Sequence, residues 1–274
     1  MQELPIDEAV ADRERRFGGV TRLLGSAAAR RLATARACVV GIGGVGSWVA
    51  EALARSGVGH LTLIDLDHVA QSNFNRQIHA LEHTLGQAKV QAMRERILAI
   101  DPWARVEVVE DFLTPDNASV LLQGFDVVVD AIDNVRAKVA IVLACRRAGM
   151  PLVVTGAAGG KRDPRAIRVE DLARTEQDPL LARMRRMLRH EHGFPRRTGQ
   201  RFGIETVYSI EPTSRPDSCA ADRAPQGLAC SGYGSSVVVT ASVGMLAAAR
   251  AMEQLLEGGG GPQARITEEI GHEA

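Results

Sequence analysis

The chain has 274 residues, of which 45% are apolar and 24% charged, with 33 Lys and Arg against 33 Asp and Glu. Such a chain is long and apolar enough to bury a sizeable core, which excludes extensive intrinsic disorder, and its balanced charge excludes a surface that is one continuous nucleic-acid footprint. Cys38, Cys145, Cys219 and Cys230 form no C-x-x-C pair, so neither a disulfide framework nor a structural zinc is expected, and a reducing cytoplasm fits the composition best.

The first residues, MQELPIDEAVADRERRF, lack the uninterrupted apolar run of a secretory signal. From Ala37 onward, short β-branched runs alternate with helical periods, the pattern of βαβ units around a parallel sheet. The strands are expected at 38–42, 60–65, 105–110, 125–131 and 151–156, and helices at 45–56 and 87–100. In the second of these helices Val90, Met93, Ile97 and Ile100 share one face. After Gly160 the signals shorten and arginine and proline rise. A helix over 179–190 is still expected, then a long loop over 209–227 carrying Pro212, Pro216 and Pro225. A last helix spans 235–256; its apolar stretch from Val237 to Ala249 is short of the roughly 20 residues that cross a bilayer, and no membrane span is expected. The Gly-rich polar residues 257–274 read as a disordered tail. The expected fold class is α/β, a doubly wound Rossmann-like, mostly parallel sheet with a carboxy-terminal extension of loops and helices.

The sharpest local signal is GIGGVG, Gly41 to Gly46, set between the first strand and the next helix. A tight turn of this kind lets backbone N–H groups approach a phosphate, and the following helix N-terminus adds partial positive charge. Asp65 ends the second strand, 24 positions after Gly41, where a carboxylate accepts hydrogen bonds from ribose hydroxyls. Close strand-to-helix packing also demands small residues, but strand, turn, helix and acid together favour a bound nucleotide.

The residues after Asp65 argue against a nicotinamide dehydrogenase. LIDLDHVAQSNFNRQ (63–77) gathers Asp65, Asp67, Asn73, Asn75, Arg76 and Gln77 in one polar loop, and Lys89 opens the next helix. Hydride transfer needs no such set, whereas cleavage of ATP needs cations and donors to offset phosphate charge. DAIDN (130–134) then brings Asp133 and Asn134 to the carboxyl edge of the sheet. Asp133 is the expected ligand of a magnesium ion shared with phosphates, and either residue is also suited to cap the helix that begins near Val135.

GIGGVGS, LIDLDHVAQSNFNRQ, GQAK (86–89) and DAIDN occur in the order and spacing of the adenylating enzymes that activate ubiquitin and bacterial sulfur-carrier proteins, which this chain resembles over about 16–156. RFGGVTRLLG (16–25), PLLARMRRML (179–188) and ACSGYGSS (229–236) look like the subgroup of tRNA threonylcarbamoyladenosine dehydratases, extending the likeness to about Leu256. The resemblance implies one domain over 1–256, with a nucleotide-binding core at 16–156 and a substrate-binding part at 157–256, usually as a homodimer. It also implies that Gly41, Gly43, Gly44, Gly46, Asp65, Asp67, Asn73, Arg76, Gln77, Lys89 and Asn134 bind ATP. Arg76, Lys89 and Asp133 would act in catalysis, Asp133 on magnesium. Arg16 or Arg22 would reach toward a neighbouring site. The implied reaction adenylates the carboxylate of the threonylcarbamoyl group on adenosine 37 of tRNA; ring closure then expels AMP and leaves the base one water lighter.

Independently of the resemblance, Arg183, Arg185, Arg186, Arg189, Arg196, Arg197 and Arg201 stand against a single acid, Glu191. They read either as contacts to tRNA phosphates or as a solvated helix and basic loop. Phe194, Phe202 and Tyr208 read either as base-stacking residues or as core. The resemblance makes Cys230 a candidate for covalent assistance or sulfur handling, with a cysteine desulfurase or sulfur acceptor as partner, while Cys38 and Cys145 read as core from their place in a strand and a helix. The seven histidines, His79 and His83 among them, form no metal spacing and are expected to be structural or at the surface. Rival functions are activation of a small sulfur-carrier protein, which the missing zinc cysteines disfavour, and a non-catalytic nucleotide sensor or RNA-binding protein.

Overall fold

Two amino-terminal helices, α1 (Ile6–Leu24) and α2 (Ser26–Thr34), lead into five strands: β1 (Arg36–Val40), β2 (His60–Ile64), β3 (Arg105–Val109), β4 (Val127–Asp130) and β5 (Leu152–Thr155). The structure is a computed structural model that describes residues 6–197, 199–214 and 233–257. All five strands pair in parallel, because each is separated from the next by a crossover. Two more strands, β6 (Ile167–Asp171) and β7 (Glu205–Ser209), complete a seven-stranded sheet of order β3-β2-β1-β4-β5-β7-β6, with only β6 antiparallel.

The five strands lie where the β-branched runs place them, β1 starting two residues early and ending before Gly41, whose φ of 88° breaks the extended backbone. β6 and β7 were not expected. IRVED runs along an edge with two exposed residues, and ETVYS hides Thr206 and Ser209 in the sheet interior, so neither shows clean apolar periodicity. The long loop expected from Ser209 starts at the end of β7; its residues 215–227 lie outside the described ones, as do Cys219, Cys230 and residues 258–274.

The helices form two layers. α2, α3 (Gly46–Arg55), α4 (Lys89–Ile100) and α8 (Val237–Glu257) share one core with the sheet, and α5 (Ala118–Leu121), α6 (Val135–Ala148) and α7 (Pro179–Glu191) cover the other face. Cys38 and Cys145 pack in the second layer, where burial pushes both thiols up. α8 lies against α3 at Gly244, where a Cβ would come 2.6 Å from Val45 O. α6 starts at Asn134, whose side chain accepts the Ala137 N–H at 3.1 Å, and stops at Gly149 with φ 62°. Among the described residues no helix is long and apolar enough to cross a membrane.

Asp130 ends β4 and Lys138 lies on the first turns of α6; both are fully buried and 2.9 Å apart. Burial raises the Asp130 carboxyl, and Lys138 opposes that shift. Removing one partner of such a pair strands the other charge. Lys138→Met should therefore destabilise the protein by about 3–5 kcal/mol in urea unfolding, and adding Asp130→Asn should recover most of the loss.

Candidate functional site

The glycine turn works because two backbones touch. A Cβ on Gly46 would lie 1.8 Å from Gly41 O, and one on Gly41 would lie 2.7 Å from Ile132 Cγ2. Glycine at both positions thus brings the start of α3 against the ends of β1 and β4. β1 and β4 are the neighbours at which the crossovers reverse direction, and the crevice outside their carboxyl ends is where open α/β sheets bind ligands.

Asp65 fastens this turn to the loop after β2. Its Oδ2 accepts the Ile42 N–H at 2.6 Å and its Oδ1 the Asp67 N–H at 2.8 Å. Burial raises this carboxyl, while Lys89 and the two N–H donors oppose the shift. Each carboxylate oxygen keeps a lone pair for a further donor.

The polar loop closes over the turn. Asn73 is buried and accepts the Ala70 N–H at 2.9 Å, and the Arg76 carbonyl accepts Trp48 Nε1–H at 2.9 Å. The Arg76 side chain crosses Gly44, where a Cβ would meet its Cγ and Cδ at 3.2 Å and Thr240 Cγ2 of α8 at 3.3 Å. Its guanidinium donates to Ser72 O at 2.6 Å and Asn75 Oδ1 at 3.0 Å. Asn75 in turn donates to Ser235 O at 3.0 Å, joining the loop to the residues before α8. Lys89, at the first turn of α4, is buried and pairs with exposed Asp67 at 2.6 Å. Gln77 is buried, and its amide oxygen has no partner.

Asp133 and Asn134 are exposed at the carboxyl edge beyond β4, with Asn134 capping α6. No cluster of three metal-binding side chains exists among the described residues. A divalent ion here would rest on the Asp133 carboxylate and on phosphate oxygens, the donor set that magnesium takes beside a nucleotide.

The arginine set divides. Arg183, Arg186, Arg196, Arg197 and Arg201 are exposed. Arg185 is half-buried and donates to the Thr175 hydroxyl, and Arg189 donates to Pro195 O at 3.2 Å while its guanidinium covers the Phe202 ring. Phe194, Phe202 and Tyr208 belong to the core: all three are buried, and the two phenylalanine rings pack 5.1 Å apart. Base stacking is ruled out for them. Arg16 is held within its own chain by Asp12 at 2.6 Å and Ile100 O at 3.2 Å, whereas Arg22 is exposed. A cleft of 1040 Å³ opens at the opposite edge of the sheet, between Phe125, Arg146, Met150 and Arg201, away from the glycine turn.

The chain matches the family described as the ThiF family over residues 18–267. It is 48% identical to the tRNA threonylcarbamoyladenosine dehydratase of Escherichia coli across 88% of this chain and 93% of that protein. The Haemophilus influenzae protein of the same name is 42% identical across 89% and 94%. A crystal structure of the E. coli dehydratase in complex with ATP superimposes with a TM-score of 0.81 and 46% identity, covering 89% of this chain and 95% of that one.

His79, expected to be structural or at the surface, is buried, and neither ring nitrogen has a hydrogen-bond partner. Burial, with Lys89 and Arg96 nearby, pushes its pKa from the ordinary 6.5 down to about 4. Between these values the unfolded chain takes up a proton that the fold refuses, so stability is present above pH 6.5 and falls as pH drops toward 4. The loss attributable to this ring is roughly 3 kcal/mol. Urea unfolding across that range should show a shallower acid loss in His79→Phe than in the parent.

Proposed function

The chain belongs to the ThiF family, and from that premise we propose that it is an ATP-dependent dehydratase of threonylcarbamoyladenosine in tRNA. The observation that carries the reading is the joining of one glycine turn to a cation pair, Arg76 and Lys89, and to a carboxylate, Asp133, at the same sheet edge. A phosphate-cleaving site needs that combination, and the relatives that match nearly the whole chain carry that activity in their names.

In this reading the N–H groups around Gly41, Gly43, Gly44 and Gly46 and the N-terminus of α3 face the phosphates of ATP, and Asp65 takes the ribose hydroxyls. Asn73, Arg76, Gln77 and Lys89 offset phosphate charge, with Asp67 holding Lys89 until phosphate oxygens compete for it. Asn134 keeps the start of α6 in place. Asp133 would hold magnesium, which supplies charge neutralisation between phosphates when bound.

The substrate carboxylate attacks the α-phosphorus, and the bond to the bridging oxygen breaks to release pyrophosphate. A nucleophile within the modified base then attacks the activated acyl carbon; the bond to AMP breaks, a ring closes and a proton leaves to solvent. ATP becomes AMP and pyrophosphate, and the base loses one water. A free carboxylate is a poor acyl donor, and the adenylate is what makes ring closure downhill. Exposed Arg183, Arg186, Arg196, Arg197 and Arg201 are the arginines open to tRNA phosphates, with Arg185 and Arg189 behind them. A homodimer in the cytoplasm completes the proposal; the sulfur partner considered for Cys230 rests on resemblance alone.

Incubation with threonylcarbamoyl-modified tRNA, ATP and magnesium, followed by nucleoside mass spectrometry, should show loss of one water only when ATP is present. Arg76→Ala, Lys89→Ala and Asp133→Ala should each slow AMP release by about 10²–10³-fold at an unchanged unfolding midpoint. Wild-type rates in all three, or pyrophosphate exchange that needs a Gly-Gly-ended carrier protein and not tRNA, would overturn the assignment.

A further inference from the structure

Nothing in the nucleotide site uses Lys161, yet its side chain is 2% exposed and sits past the end of β5. Its ammonium donates to two backbone carbonyls that come from separate parts of the chain, Gln177 O at 3.0 Å and Glu211 O. Gln177 immediately precedes Asp178, which caps α7, and Glu211 follows β7. Gln177 has a φ of 54°, the one described non-glycine residue with positive φ. A left-handed glutamine persists only where its surroundings hold it, and such positions gather at functional sites.

The neighbouring residues form one wall with this lysine. Ala157 N–H donates to Asp178 Oδ2 at 2.8 Å, and Arg162 and Asp163 N–H donate to Glu211 Oε2 at 2.8 and 2.9 Å. Gly160 bonds both ways, its N–H to Gly234 O at 2.8 Å and its carbonyl from Ser214 N–H at 2.9 Å. Through Ser235, next to Gly234, the wall reaches Asn75 in the phosphate loop. The nucleotide reading fills the crevice over β1 and β4, so the adjoining edge over β5 and β7 is the space left for the acyl substrate, and Gly156 to Lys161 border it. Burial disfavours the Lys161 ammonium, and the nearby carboxylates of Asp178 and Glu211 oppose that effect.

We propose that Lys161 is a positioning residue for the acyl substrate: by bridging Gln177 O and Glu211 O it holds the Gly156–Lys161 wall at the distance from the nucleotide that adenylation requires. This rests on the dehydratase reading and goes beyond it by separating two halves of the site. Nucleotide contacts come from residues 41–134, whereas the wall is tied down by a lysine outside them.

The test measures ATP affinity and steady-state kinetics with threonylcarbamoyl-modified tRNA for Lys161→Met, which fills the space without a donor, and for Lys161→Gln, whose amide supplies two donors. Lys161→Met should raise KM for the tRNA by about 10- to 100-fold and leave the Kd for ATP within about twofold; Lys161→Gln should return KM to near the parent value. Gly160→Ala, whose Cβ would meet Thr213 Cγ2 at 2.7 Å and Ser214 O at 2.9 Å at a φ of 71°, displaces the wall directly and should show the same split, so a KM that it leaves unchanged overturns the proposal even where Lys161→Met does not fold. An unchanged KM in the folded variants, equal losses for ATP and tRNA, or failure of Lys161→Gln to restore a KM lost in Lys161→Met would overturn the proposal while leaving the dehydratase reading intact. A parent protein that does not act on the tRNA at all would overturn both.

Discussion

The contact of Gly46 with the carbonyl of Gly41 is the constraint from which the rest of the site follows. With clearance for no side chain at that point, α3 can start only if both residues are glycine. Once α3 starts there, its first turn faces the crevice between β1 and β4, Trp48 is placed to hold the Arg76 carbonyl, and α8 can close on α3 through Gly244. Asp65 adds the second fastening, one carboxylate bonded to both the turn and the polar loop. A displacement of either would move Arg76 and Lys89 together.

The site is built from charges placed in low exposure and satisfied before any ligand arrives. Lys89 rests on Asp67, Arg76 on Ser72 and Asn75, and Lys138 on Asp130 beneath the site. Such pairing keeps the cations ordered, so the proposed exchange of an internal partner for phosphate needs little reorganisation. Lys161 extends the same device to the other half of the edge, where the partners are carbonyls rather than carboxylates.

The five parallel strands and the helices at 45–56, 87–100, 179–190 and 235–256 emerge within a residue or two, because all of them but the half-exposed β3 bury a face of apolar residues. β6 and β7 escape, since an exposed edge strand and a strand with Thr206 and Ser209 inside it do not alternate cleanly. α1 and α2 escape as well: only Leu32 of α2 is fully buried in the core that these helices share with the sheet, with Val20 and Leu24 of α1 partly buried against it. Phe194, Phe202 and Tyr208 illustrate the opposite ambiguity, as an aromatic near arginines looks alike whether it awaits a base or fills a core.

Sequence alone determined the glycine turn after β1, the acid that ends β2 and the parallel sheet, and it placed Asn73, Arg76, Lys89 and Asp133 on the segments that follow the carboxyl ends of the strands, because these depend on spacing within short segments whose geometry is local. Only the tertiary structure decided what meets across distant segments. It paired Lys138 with Asp130, buried His79 without a partner, turned Arg185 and Arg189 inward, and put Lys161 between carbonyls 16 and 50 residues away. The physical reason is that burial and long-range hydrogen bonding belong to the assembled chain, and no local pattern of residue types encodes which distant backbone groups will be left in need of a donor.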